Sequence, residues 1–319
     1  MDYLLLVAGL VLLVLGAELL VRGGVGLAER FGISQLVIGL TVVAWGTSAP
    51  ELMVALQAAL GGTPDITLGN VVGSNIFNVL AILGLAALVR PIRSTPRAII
   101  RDASAGLLAA LALFWISEHR AHLSFYHGLS FVIALIIYSV LVYEMERAPS
   151  SRARRMHVEE VEEHPPPSGR LWINAMLIVL GLAGLVGGAK LLVDNAVVIA
   201  RAWGVSEAVI GLSLVAAGTS LPELATSVVA AIRGHSAIAL GNVLGSNIYN
   251  LLAILGITAM VSPVPIPQRV AHFDIYLLVA VAVAAMAPVF NGGRLGRLAG
   301  FLLLACYAVY VGLLLGQTI

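Results

Sequence analysis

Two stretches decide the reading of this chain: GTSAPEL at Gly46–Leu52 and GTSLPEL at Gly218–Leu224. Each is followed by a second matched block, LGNVVGSNIFN at Leu68–Asn78 and LGNVLGSNIYN at Leu240–Asn250. One offset of 172 residues aligns Gly32–Ile92 with Gly204–Val264 without a gap, and 35 of the 61 positions are identical. Apolar composition shared by two segments does not give identity at that level, so the chain carries an internal duplication.

The surroundings of these blocks place them in a membrane. The 319 residues are 60% hydrophobic and 11% charged, with a mean hydropathy of +0.99. A soluble domain needs about 25% charged residues, so a water-soluble globule is excluded. At about 20 residues per span, this supply of apolar residues fills about ten helices. Apolar runs fall at Tyr3–Val21, Leu36–Leu60, Leu68–Val89, Ala98–Ser117 and Phe125–Tyr143, then at Leu171–Val193, Ala208–Ile232, Leu240–Val261, Phe273–Val289 and Leu298–Leu315. The first run has no basic segment before it and reads as a retained helix rather than a signal peptide. The net charge of +1 offers no basic surface for nucleic acid, and the single cysteine, Cys306, excludes an intramolecular disulfide and a thiolate-clustered metal.

Basic residues set the expected orientation, because short translocated loops are poor in them. The odd-numbered connections and adjoining helix ends hold 14 of the Lys and Arg residues and the even-numbered ones hold 4. Both termini are therefore expected outside, with the longest connection in the cytoplasm of a cell whose inner membrane holds the chain. Its acidic residues Glu159, Glu160, Glu162 and Glu163 and the run Pro165–Pro167 lack EF-hand spacing and read as a solvated linker. The expected fold is all-α, with ten transmembrane helices in two five-helix repeats, 1–145 and 171–319, joined by the linker 146–170. Five helices is an odd number, so the second repeat enters the membrane from the opposite side. Inverted repeats of this kind build secondary transporters with a site near the midplane.

The chemistry lies in the polar residues of these helices. Glu18, Glu51, Asp194 and Glu223 are read as the carboxylates well within apolar runs. Glu18 has Arg22 one turn on, and Lys190 has Asp194 one turn on, which reads as two i,i+4 ion pairs. Glu51 and Glu223 have no basic residue within two turns. Each follows a Thr and a Ser (Thr47 and Ser48, Thr219 and Ser220) that share its helical face. Pro50 and Pro222 each remove an amide donor and free a carbonyl one turn back. Asn70, Ser74 and Asn78, with their copies Asn242, Ser246 and Asn250, recur at i, i+4 and i+8 as a further polar stripe. Hydroxyls and prolines alone serve as helix glue and kinks. Two unpaired glutamates do not, at about 2.5–3.5 kcal/mol each on insertion scales. A cation offsets that cost. The candidate ligands are all oxygens, which favours Ca²⁺, Na⁺ or Mg²⁺ over zinc or copper, and a flexible many-oxygen shell favours Ca²⁺ over Mg²⁺.

The paired GTS-x-PE and GN-x-x-GSN-x-x-N motifs resemble the two alpha-repeats of the cation/calcium antiporter superfamily, in particular its prokaryotic-type sodium/calcium exchangers. The resemblance implies that Glu51 and Glu223 bind both Ca²⁺ and Na⁺ and that the carbonyls of Thr47 and Thr219 complete the calcium site. It implies that Ser48, Ser74, Ser220 and Ser246, with the carbonyls of Ala44 and Ala216, line the sodium sites, and that Asn78 and Asn250 bond the carboxylates or a water. It also implies sliding of the first and sixth helices across the core. No cofactor, enzyme activity or obligate protein partner is expected; the partners are Ca²⁺, Na⁺ and the lipid bilayer. A membrane enzyme would need an asymmetric nucleophile–base set, and HExxH is absent. The potassium-dependent branch carries Asp where this chain has Asn250, so K⁺ coupling and H⁺ coupling are the alternatives.

Overall fold

The computed structural model of the chain describes residues 1–62, 65–147, 171–203 and 218–316. Uninterrupted apolar runs fold as single helices: α1 Asp2–Phe31, α4 Ile66–Val89, α5 Pro96–His119, α6 Phe125–Met145, α7 Leu171–Ala202, α9 Ser236–Val261, α10 Val270–Asn291 and α11 Arg297–Leu314. These eight are long and apolar enough to cross a membrane. The expected second run instead breaks into α2, Gln35–Thr47, and α3, Ala49–Leu60, bent by 41°. The break sits at Ser48, with φ −84° and ψ 4°, and Pro50 occupies the first turn of α3, where its missing N–H costs nothing. In the second half Ser220 has φ −91° and ψ 8° ahead of α8, Leu221–Arg233, again with a proline in the first turn. The rest of the seventh run, including Ala216, and the acidic linker lie outside the described residues.

Helices α4 and α9 form the centre, 78% and 83% buried over their apolar stretch against at most 39% for the other six. Small residues allow this. A Cβ on Gly39 of α2 would lie 2.7 Å from the carbonyl of Ile238 in α9, and one on Gly245 of α9 would lie 2.7 Å from the carbonyl of Leu40. Both central helices widen to a π-helical turn, at Asn78–Leu83 and Asn250–Ile254, and each turn opens on the last asparagine of its motif. Such turns re-aim side chains within a helix.

Helices α1 and α7 pack along each other on a glycine seam. A Cβ on Gly16 would lie 2.6 Å from the Leu185 amide, and one on Gly188 would lie 2.9 Å from the Gly9 carbonyl. Two short antiparallel ladders lock the halves. β1, Ile92–Arg93, pairs with β4, Arg294–Leu295, and β2, His122–Leu123, pairs with β3, Val264–Pro265. The offset of 172 turns β1 into β3 and β2 into β4, so each ladder joins one strand of each half.

The span helices bury two carboxylates besides Glu51 and Glu223. Asp102 is fully buried and Asp274 is 8% exposed, both within span helices, whereas the Asp194 side chain is 59% exposed. Asp102 hides near the start of its run because Arg101 pairs with it at 2.6 Å and Tyr138 donates to it at 2.9 Å. Asp274 accepts from Tyr310 at 3.1 Å. These residues also obey the offset of 172: Asp102 maps to Asp274 and Tyr138 to Tyr310.

The seam gives a direct test. Gly16→Val forces backbone apart and should destabilise by about 1–3 kcal/mol, read as a lowered thermal midpoint in detergent. Gly312→Val, where an added Cβ meets nothing within 4 Å, should leave the midpoint unchanged.

Candidate cation site

The two helix breaks bring the GTS-x-PE segments face to face at the centre. Glu51 and Glu223 are each 1% exposed, so both carboxylates are removed from solvent. Their serines are exchanged between halves. Ser220 donates to Glu51 Oε1 at 3.0 Å, and Ser48 donates to Glu223 Oε1 at 2.9 Å. Each half therefore orients the other's carboxylate. Ser220 also lies 3.2 Å from the hydroxyl of Ser74 on α4.

The second oxygen of each glutamate, Oε2, is buried with no hydrogen-bond partner among the described residues. The same holds for Oδ1 of Asn78, Oδ1 of Asn250 and the hydroxyl of Ser246. None of the ion pairs found among the described residues involves Glu51 or Glu223. Each glutamate thus keeps one buried oxygen without a donor among the described residues, which a bound cation can satisfy. No group of three His, Cys, Asp or Glu residues converges among the described residues, so the set is two carboxylates plus neutral oxygens, as hard-cation chemistry requires.

Asparagines fix the surround. Asn242 accepts from the Thr47 hydroxyl at 3.1 Å and donates to the Glu223 carbonyl at 3.2 Å and to Ser227 at 2.9 Å. Thr47 also bonds the Ala44 carbonyl at 3.3 Å. Asn78 donates to Asn247 at 3.0 Å rather than to a carboxylate, and Asn247 donates to the Asn75 carbonyl at 3.3 Å. This belt joins α4 to α9 beside the site. Thr219 lies in the break between Gly218 and Ser220, half-buried. Asn75 and Asn247, the asparagines of the GSN triplets, lie off the i, i+4, i+8 stripe and recur under the repeat offset.

The family model for sodium/calcium exchanger proteins matches residues 1–144 and 173–316. The chain belongs to the sodium/calcium exchanger family. It is 32% identical to the sodium/calcium exchanger MaX1 of Methanosarcina acetivorans, over 97% of each chain. It is 34% identical to the inner membrane protein YrbG of Escherichia coli, over 97% of this chain and 95% of the other. A solved structure of the sodium-calcium exchanger NCX_Mj soaked with Na⁺ and Sr²⁺ superimposes with a TM-score of 0.83 at 32% identity, covering 98% of this chain and 97% of that one. This family membership makes the chain a membrane transporter, and its nearly all-helical architecture is that of NCX_Mj.

Neutralising either carboxylate separates charge from packing. Glu51→Gln and Glu223→Gln should each raise the thermal midpoint in ion-free buffer, by roughly 2–4 °C per kcal/mol of relieved charge burial. Each should also lose the stabilisation that wild type gains from saturating Ca²⁺, about 2.7 kcal/mol at one hundred times Kd.

Proposed function

We propose that this protein exchanges Na⁺ for Ca²⁺ across a cell membrane by alternating access to one site near the bilayer midplane. The observation that carries the reading is the crossed pair of Ser–Glu bonds, each leaving one carboxylate oxygen buried and unpartnered. In this reading Glu51 and Glu223 ligate both ions, and their two charges balance one Ca²⁺. The carbonyls of Thr47 and Thr219 complete the calcium shell. Ser48, Ser74, Ser220, Ser246 and the carbonyls of Ala44 and Ala216 take Na⁺, with Asn78 and Asn250 at the centre. Competition for shared oxygens couples the two flows, because the site cannot hold both complements at once.

The accompanying topology is ten spans in two inverted five-helix repeats, 1–145 and 171–319, with both termini outside and 146–170 as a cytoplasmic linker. Two sequence facts support it: the gap-free duplication and the bias of basic residues to one set of connections. Asn250 supports independence from K⁺, since two carboxylates leave no charge for a further monovalent ion.

Reconstituted vesicles test this. An outward Na⁺ gradient should drive Ca²⁺ uptake with K⁺ replaced by an inert cation, and uptake driven by a proton gradient alone, or strictly requiring K⁺, would overturn the coupling. Glu51→Gln or Glu223→Gln should abolish the flux. Acidification should inhibit it, as protons occupy the carboxylates; flux unchanged between about pH 8 and 5.5 would remove them as ligands. Asn250→Asp should make the flux sensitive to pH or K⁺, because a third buried carboxylate needs a proton or another cation.

A further inference from the structure

The α1–α7 pair is a unit in its own right: the glycine seam brings the two backbones into contact along their length, while the strand ladders tie the remaining helices of both halves together. Of the ion pairs found among the described residues, one crosses from this unit to the core. Glu18, in the middle of α1, receives two arginines, Arg22 of its own helix at 2.7 Å and Arg233 at 2.8 Å. Arg233 is the last residue of α8, held by the Gly234 cap, whose φ of 90° suits glycine. The Glu18 side chain is 16% exposed, so it sits beneath the two half-exposed guanidinium groups.

The repeat offset shows what the other half has in the same places. Glu18 maps to Lys190, Arg22 to Asp194 and Arg233 to Gly61. The intrahelical pair survives with its signs reversed, Lys190 to Asp194 at 3.0 Å, on an exposed face. The crossing partner does not survive, because Gly61 has no side chain. In a transporter of inverted repeats, switching access exchanges the arrangements of the two halves. The mirrored contact would need an acid at position 61 to meet Lys190.

We infer that Glu18 and Arg233 form a one-sided latch, which holds the α1–α7 pair against α8 in the access state seen here and has no counterpart in the opposite state. The inference rests on the alternating-access reading above. A contact made in one state shifts the population toward that state, and apparent affinity at each face scales with the fraction of molecules open to it. The latch thus makes the two faces unequal.

The test is the ratio of apparent Ca²⁺ affinities at the two faces, from exchange in vesicles of known orientation. Arg233→Gln and Glu18→Gln should each move the ratio about two- to fivefold in the same direction, the range for a partly exposed ion pair. The double variant should move it no further than either single one. Arg22→Gln, which leaves the crossing contact in place, should hold the ratio, and Gly61→Glu should move it the opposite way by giving Lys190 a partner. An unchanged ratio in Arg233→Gln with exchange intact overturns the latch, as do additive effects in the double variant. A readout independent of transport separates this from failure of the exchange reading. With Cys306 replaced by Ser, spin labels at Leu4→Cys on α1 and Ile136→Cys on α6 should give one dominant distance in wild type and a second population in Arg233→Gln. Identical distributions overturn the latch whatever the transport assay shows.

Discussion

Two carboxylates buried without a cationic partner among the described residues are the constraint on which the rest of the structure turns. Burying an ionised carboxylate costs several kcal/mol even after relaxation. Glu51 and Glu223 offset part of that through serine hydroxyls, and each serine comes from the opposite half. Crossed donation requires both helix breaks to meet at the centre. The meeting requires α2 to lie on α9 at backbone distance, which in turn requires Gly39, Gly241 and Gly245. The prolines, serines and glycines of the motifs are therefore one device, and removing any member would leave a charge buried with less support.

Much of this was legible in the sequence for a physical reason: duplication turns a weak single signal into a paired one. A lone glutamate in an apolar run is ambiguous, whereas two with identical flanks at a fixed offset are not. The helices α4, α5, α6, α9, α10 and α11 follow the apolar runs closely, whereas α1 and α7 run nine to ten residues past theirs. The break of the second run at Ser48 was signalled by Pro50, but periodicity alone treats Leu36–Leu60 as one span. The buried acids Asp102 and Asp274 were hidden because each lies near the start of its helix, where a charge normally snorkels to water. Their burial depends on Tyr138 and Tyr310, 36 residues further on, and a contact of that range leaves no periodic trace. The partner of Glu18 shows the same limit: Arg22 is one turn away and readable, while Arg233 is 215 residues distant.

The scaffold explains how the two halves are held in register. Each strand ladder takes one strand from each half, so neither half can shift without breaking main-chain hydrogen bonds in both. The asparagine belt through Asn78, Asn247 and Asn75 adds a second tie at the level of the site. By contrast α1 and α7 are joined to each other by close small-residue packing, which acts through contact rather than hydrophobic exclusion in a membrane.

Departures from the repeat carry as much information as the matches. Asn242 donates to Ser227, but the corresponding residue in the first half is Ala55, and there the Asn70 amide nitrogen is buried without a partner among the described residues. Asp102 is paired with Arg101, whereas Phe273 stands in the corresponding place beside Asp274. A duplicated pair of helices that remained identical would present the same energy to an ion from either side. Each asymmetric substitution gives one half a hydrogen bond or an ion pair that the other lacks. Such differences leave the two carboxylates and their crossed serines matched. The division is one of charge: the two matched carboxylates equal the charge of one divalent ion, while the neighbours that brace them differ between the halves.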